Sequence, residues 1–341
     1  GGGSGPGVGL SMVAYSVPVH EIEFDAKGQI ISPAGAFWTA VFSAKWSLDQ
    51  STGGSLPAGT WMPDHPSFTH GEGNDQMFIL LDRKGRRYWV VWMARQPGIN
   101  AIFGGKPGIS LENIAGGALW KNPTHVCGGA GLIEGVFAGK THPHAGSGCG
   151  LPKLACLGLV EEILDGKIPH PLELSIANTW YCDDQKTARE GVDWFAPATR
   201  CEWIKGQPGR PGATTLDRTR LVPEGLRRAY DVSPAERKRW LDQKGLTGPF
   251  RRFWEVIIDC WCDYGDVVKE TAGWGKRAEM DGVLGAAGAL YVNELGWPGI
   301  PDPANPKRKI PDIPKVKLAE YTCSSFETDF SDRQYIVRAA A

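Results

Sequence analysis

The sequence contains no run of about 18 or more apolar residues, so no segment qualifies as a membrane-spanning helix. It also lacks an excess of either charge: 37 Lys and Arg against 38 Asp and Glu leave a formal net charge of -1. Neither nucleic acid nor an anionic membrane surface is therefore an expected partner. The short catalytic signatures are missing too. There is no P-loop, no HExxH and no G-x-S-x-G between a strand and a helix. "GSGCG" around Cys149 is no nucleophile elbow, because Gly-Leu-Pro follows and cannot open a helix there. No internal repeat is visible, which excludes solenoids and propellers. The chain opens with neither Met nor a charged and apolar leader. GGGSGPGVGL reads instead as a flexible linker over residues 1–11, which suggests a piece of a longer protein.

What is abundant is equally telling. There are 45 Gly and 25 Pro, hence many turns, and 14 Trp, several times ordinary usage. Eight Cys is an even number, which suits an oxidising compartment and predicts disulfide-supported loops in a secreted or extracellular-surface protein. Cys182 and Cys201 flank a segment able to fold back on itself, and Cys149 and Cys156 bracket a Gly-Pro loop. Cys260 and Cys262 lie two apart on a predicted helix and should seek different partners.

Local patterns predict mostly strands. "HEIEFDAKGQII" alternates polar and apolar residues around a Lys27-Gly28 turn. "DQMFILLDRKGRRYWVVWMA", Asp75 to Ala94, is a hairpin whose two-sided apolar runs place it inside a sheet, with Asp82 in the turn. "AFWTAVFSAKWSL" is ambiguous, residues 49–76 read as loop, and a strand is expected near Gly131–Val136. "LVEEILDGK" predicts a short helix stopped by Gly166, followed by a strand in "IPHPLELSI". "VDWFAPA" and "RTRLV" read as further strands. Ser233, Pro234 and Glu236 mark the start of one helix, with Gly245 as its stop. Phe250, Phe253, Trp254, Ile257, Ile258 and Trp261 form the buried face of a second, which ends at Tyr264-Gly265 before the strand "DVVKETAGWG". Prolines at nearly every third position from Trp297 to Lys315 predict an extended belt. The expected fold is all-β or β-dominated: one β-sandwich or jelly-roll domain over residues 12–341, with two peripheral helices and long loops.

The order of "GCGLPKLACLGLVEEILDGKIPHPLEL", "WFAPATR", "RTRLVPEGLRRAYDV" and "FRRFWEVIIDCWCDYGDVV" resembles a family of secreted or surface-associated bacterial proteins of poorly defined function. The likeness runs from about Asp75 to Gly275. That family's pattern is A-G-L-P, then G-x-I-x-H-A-L, a PA strand and a helix ending in YG. The chain departs from it at Glu161-Glu162, where Arg-x-x-Glu stands in the pattern, and at Pro171, which replaces Ala after His170. The resemblance implies a jelly-roll-like sandwich in an extracellular, carbohydrate-related setting. It implies no catalytic residue.

Candidate chemistry follows from residue type. Glycoside hydrolysis needs two carboxyls across a groove, about 5 Å apart when retaining and about 6.5–9.5 Å when inverting. Glu72, Asp75 and Glu134, with Asp64, are the acids in loop or strand-end settings. A lyase needs a base, for which His142, His144, His170 and Tyr88 are candidates. His125, Cys127, His142, His144 and Cys149 cluster in sequence as zinc prefers, but in no standard zinc spacing, so a zinc-dependent hydrolase is the weakest reading and no metal or cofactor is expected. Trp61, Trp120 and Trp203 lie in Gly, Pro and polar surroundings, where a flat indole can stack on a sugar ring. Trp89, Trp92, Trp254 and Trp261 read as core. The sequence thus points to a protein that recognises a polysaccharide or cell-surface glycan, with cleavage by hydrolysis or elimination as the enzymatic extension. Its alternative is a structural or adhesive module of a phage tail or cell-surface assembly.

Overall fold

The computed structural model describes residues 9–13, 15–41, 60–65, 67–69, 71, 77–84, 87–92, 125–132, 147–151, 153–184, 186–206, 221–271, 276–283, 286–302, 305–312 and 326–337. β1 (Gly9–Ser11) and β2 (Val19–Glu21) are followed by β3 (Glu23–Phe24), which turns back on β4 (Ile30–Ser32). The turn holds Gly28 at φ 78°, a conformation that glycine adopts without a Cβ penalty. β5 (Phe37–Val41) pairs with β6 (Thr60–Asp64), a strand inside the stretch that reads as loop. The expected hairpin is β7 (Phe78–Asp82) and β8 (Arg87–Trp92), with Phe78 opposite Val91. With β9 (His125–Leu132) it forms a sheet ordered β2-β7-β8-β9, so the hairpin is central, as its apolar runs require.

In the second half α1 (Val160–Leu164) stops at Gly166, φ 80°, and the chain enters β10 (Leu172–Ile176). β11 (Tyr181–Cys182) and β12 (Trp203–Ile204) pair in parallel, and β13 (Arg227–Tyr230) precedes two helices. α2 (Pro234–Gln243) opens on a capping box: the Ser233 N–H donates to the Glu236 carboxylate at 2.9 Å, and the Glu236 N–H donates to Ser233 Oγ. α3 (Gly248–Asp263) ends at Tyr264, one residue before Gly265. β14 (Asp266–Thr271), β15 (Arg277–Glu279), α4 (Ala286–Asn293), β16 (Gly299–Asp302), β17 (Asn305–Pro311), α5 (Phe326–Asp329) and β18 (Gln334–Ile336) complete the described elements.

The main sheet runs β1-β15-β10-β14-β13-β18. β10 and β14 are parallel, as are β1 and β15, while β13 runs antiparallel to both its neighbours. Leu172, Leu174 and Ile176 of β10 and Val268 of β14 share one hydrophobic cluster with Phe253, Trp254, Ile257, Ile258 and Trp261 of α3. Each such side chain contributes about 1.5–3 kcal/mol of gross burial. A second cluster joins Val267 of β14 to Leu151, Cys156 and Leu157, and these to Ile79, Leu81 and Tyr88 of the four-stranded sheet. The main sheet therefore has the apolar face of α3 on one side, and the segment 147–157 with the second sheet on the other.

The β-rich expectation is met in part, and several segments differ from their sequence reading. Strand exceeds helix among the described residues, but five α-helices appear there where two peripheral ones were expected, so the described fold is mixed α and β in layers. Residues 9–11 of the expected linker are β1, hydrogen-bonded in register to β15. The proline belt contains an antiparallel pair, β16 with β17, in which Ile300 faces Ile310. Prolines at the ends and edge of a two-stranded ribbon cost few ladder bonds. "VDWFAPA" forms only an isolated bridge between Glu190 and Trp194. Cys149, Cys156, Cys182, Cys201, Cys260 and Cys262 are buried thiols, and no disulfide occurs among the described residues.

Candidate functional site

The parallel ladder of β10 and β14 is irregular at one point. Leu174 faces Val268 and Ser175 faces Glu270, so Lys269 is an extra residue on β14. A bulge of this kind breaks the alternation of side chains. Lys269 and Glu270 consequently reach the same charged layer as Glu173. Lys269 Nζ lies 3.4 Å from Glu173 and 3.0 Å from Glu270, and it also contacts Glu279 of β15. Lys153, from a 3-10 turn over Lys153–Cys156, approaches Glu279 at 2.5 Å and Glu173 at 3.7 Å. Both lysine side chains are fully buried.

Two cations among three carboxyls leave one acid short of a partner. Burial, only partly offset by the lysines, pushes Glu173 up to about 8. Burial also opposes ionisation of Glu279, but Lys153 and Lys269 outweigh it and hold that carboxyl at about 2. Glu270 is likewise held below its ordinary value, because Lys269 and Lys153 overcome its desolvation. Burial thus favours the protonated form of Glu173, while the lysines favour the ionised forms of Glu270 and Glu279.

A second group adjoins the C-terminal ends of these strands. Thr179 Oγ1 donates to Glu224 Oε1 at 2.9 Å, and the Glu202 N–H donates to Glu224 Oε2 at 2.8 Å. The hydroxyls of Thr179 and Thr271 are 2.7 Å apart, and the Thr271 N–H donates to Glu202 Oε2 at 2.8 Å. Burial, with the nearby charge of Glu202, raises Glu224 well above the usual carboxyl range. Glu270 links the two groups: it accepts from the Gly148 N–H at 3.3 Å and from Ser175 Oγ at 3.4 Å. A Cβ on Gly148 would meet Glu202 Cγ at 2.5 Å, so only glycine lets the chain pass this close.

The same short segments carry indoles. Thr179 is followed by Trp180 and Glu202 by Trp203, so an acid-group member and a half-buried indole stand side by side twice. Trp180 Nε1 donates to the Leu221 carbonyl at 3.0 Å, and its ring packs at 6.3 Å from that of Phe195. Trp194 is half-buried in the same excursion, whose outer residues Asp183, Asp184, Lys186, Arg189 and Glu190 are exposed. The lobe over residues 177–206 thus brings three half-buried indoles close to Glu224, raised by burial, and to Glu270, held low by Lys269 and Lys153.

Of the catalytic and sugar-binding candidates named from sequence, Trp203 alone among the described residues falls in this region. His170 does not. Its Nε2 meets Glu162 Oε1 at 2.9 Å and its Nδ1 lies 3.0 Å from the Pro171 carbonyl. Burial disfavours the imidazolium, but Glu162 outweighs it and raises the His170 affinity for a proton. His170 is a latch between α1 and the start of β10. Tyr88 is sealed in the second cluster, where desolvation drives its phenol further up, so it is no base. Cys149 is a buried thiol pushed well up by burial and by Glu224. Glu72, Asp75, Glu134, His142, His144 and Trp120 lie outside the described residues, as do the side chains of Trp61, Asp64, His125 and Cys127. Among the described residues no three His, Cys, Asp or Glu converge as a metal site.

Sequence reasoning missed Lys153, Glu173, Glu202, Glu224, Lys269, Glu270 and Glu279. One signal was available: Glu173 and Lys269 interrupt apolar strands, and a buried charge demands a partner. No protein-family model, curated protein or solved structure matches the chain.

Proposed function

We propose that this protein recognises a polysaccharide through the lobe of Trp180, Trp194 and Trp203, and that Glu224, Glu202 and Glu270 beneath it serve hydrolysis of the bound glycan. The reading includes an extracellular setting, with a layered sandwich as scaffold. The observation that carries it is the double juxtaposition of Thr179-Trp180 and Glu202-Trp203. Each places an amphipathic indole, suited to the apolar face of a sugar ring, next to the acid group. A carboxyl held protonated beside one held ionised is the division of roles that glycosidic cleavage requires. Glu224 would donate the proton to the leaving oxygen. Glu270, kept ionised by Lys269, would be the partnering carboxylate.

The test is a panel of neutral and acidic polysaccharides, scored for retention of the protein, for new reducing ends and for absorbance at 235 nm. Retention with new reducing ends and no 235 nm rise is expected, and Glu224→Gln should keep retention while losing reducing-end release. A rise at 235 nm would replace hydrolysis by elimination. Retention without any product would leave a binding module. Silence on every glycan would overturn the reading and favour a structural or adhesive role.

A further inference from the structure

Cys182 ends β11, and Cys201 stands two residues before Trp203 of β12. Both thiols are buried, and each affects the other's proton affinity. Each is also tied to the opposite strand: Cys182 Sγ donates to the Trp203 carbonyl at 3.5 Å, and Cys201 Sγ donates to the Trp180 carbonyl at 3.3 Å. The other described cysteines turn elsewhere. Cys149 turns to Ser147 Oγ, Cys260 to the His170 carbonyl and Cys262 towards Arg237. The reciprocal bonds bring both sulfurs to the same pair of strands, β11 and β12, at the neck of the lobe, whichever ligand the lobe takes.

We propose that Cys182 and Cys201 are a dithiol–disulfide site that closes the neck of the 177–206 lobe. Cys201 partly offsets the rise that burial imposes on the Cys182 thiol, while Cys182 adds to the rise at Cys201, so Cys182 is the thiol that attacks first. With a low-molecular-weight disulfide such as oxidised glutathione as oxidant, the Cys182 thiolate bonds to one glutathione sulfur and expels the other as a thiolate. Cys201 then loses its proton, attacks the Cys182 sulfur and expels the second glutathione thiolate. The protein loses two electrons and two protons, and one glutathione disulfide becomes two thiols. Burial raises both protein thiols, so exchange proceeds when the lobe opens locally and is slow in the closed form.

The test is equilibration of the full chain with glutathione buffers of rising oxidised fraction, acid quench, alkylation of remaining thiols in denaturant, and tryptic mapping without reduction. The expected product is the peptide Ile168–Lys186 joined to Cys201–Lys205, appearing ahead of any other protein disulfide and lost on reduction. In Cys182→Ser, Cys201 should be recovered alkylated, or as the glutathione adduct, with circular dichroism unchanged. Recovery of both peptides as alkylated monomers at the most oxidising poise overturns the proposal. So does a linkage of either cysteine to a different one. Glycan binding enters neither readout, so failure here and failure of the saccharide reading are distinguishable.

Discussion

At Glu173 and Glu279 the same buried surroundings push two carboxyls in opposite directions, and the difference is measurable in the stability of the fold. Glu173 is raised from an ordinary 4.5 to about 8 by burial. Across that window the folded chain holds a proton that the unfolded chain has released, so stability falls as pH rises from about 4.5 to about 8. Glu279, held at about 2 by Lys153 and Lys269 against its desolvation, acts the other way: its contribution is present above 4.5 and disappears as pH falls towards 2. Denaturant midpoints measured against pH should show both slopes. Glu173→Gln should flatten the alkaline slope and leave the acid one, and an unchanged alkaline slope would refute the assignment. Lys269→Met should destabilise by about 3–5 kcal/mol, because it strands buried carboxylates without a cation. In the sequence, Glu173 and Lys269 announce themselves as charges inside apolar strands. Their pairing is not legible there, because it depends on a one-residue bulge in a ladder whose strands lie nearly a hundred residues apart.

The helices were the most legible elements, since their signals are local. The box of Ser233 and Glu236, and the apolar spacing and Tyr264-Gly265 end of α3, were placed from sequence, whereas α4 and α5 were not. Ser233→Ala should cost about 1 kcal/mol by loss of the cap. Trp254 is fully buried against β10 and β14, and Trp254→Ala should cost about 3–5 kcal/mol in urea unfolding. Gly265 permits the turn from α3 into β14: its φ is 84°, and a Cβ would sit 1.9 Å from the Arg228 carbonyl oxygen. Gly265→Ala should therefore shift the β13–β14 contact and lower the melting temperature more than Ser233→Ala does, which a thermal scan decides. What misled the reading were segments whose composition and partners disagree. Gly9–Ser11 looks like linker until β15, from the far end of the chain, supplies its hydrogen bonds. The prolines of 299–311 looked extended and unpaired until each strand found the other.

Across the whole molecule, the order β1-β15-β10-β14-β13-β18 weaves together strands from both ends of the sequence, and no local pattern encodes that order. It is also what creates the site. Parallel β10 and β14 end side by side, the segments after β10 and before β13 deliver Thr179 and Glu224 to those ends, and the lobe between them carries three half-buried indoles. Trp203 was legible as a candidate because it stands in polar surroundings. Trp180 was not, because its ties to the Leu221 carbonyl and the Phe195 ring join segments far apart in sequence. The central claim, that this lobe recognises a polysaccharide, is tested most directly by affinity electrophoresis of the native chain and of Trp203→Ala in gels containing each glycan of the panel. The account predicts retardation of the native chain by at least one polysaccharide, and about tenfold weaker binding in Trp203→Ala, the equivalent of about 1.4 kcal/mol of lost stacking, with an unaltered melting temperature. Equal retardation of the two chains, or none of either in every gel, would contradict it.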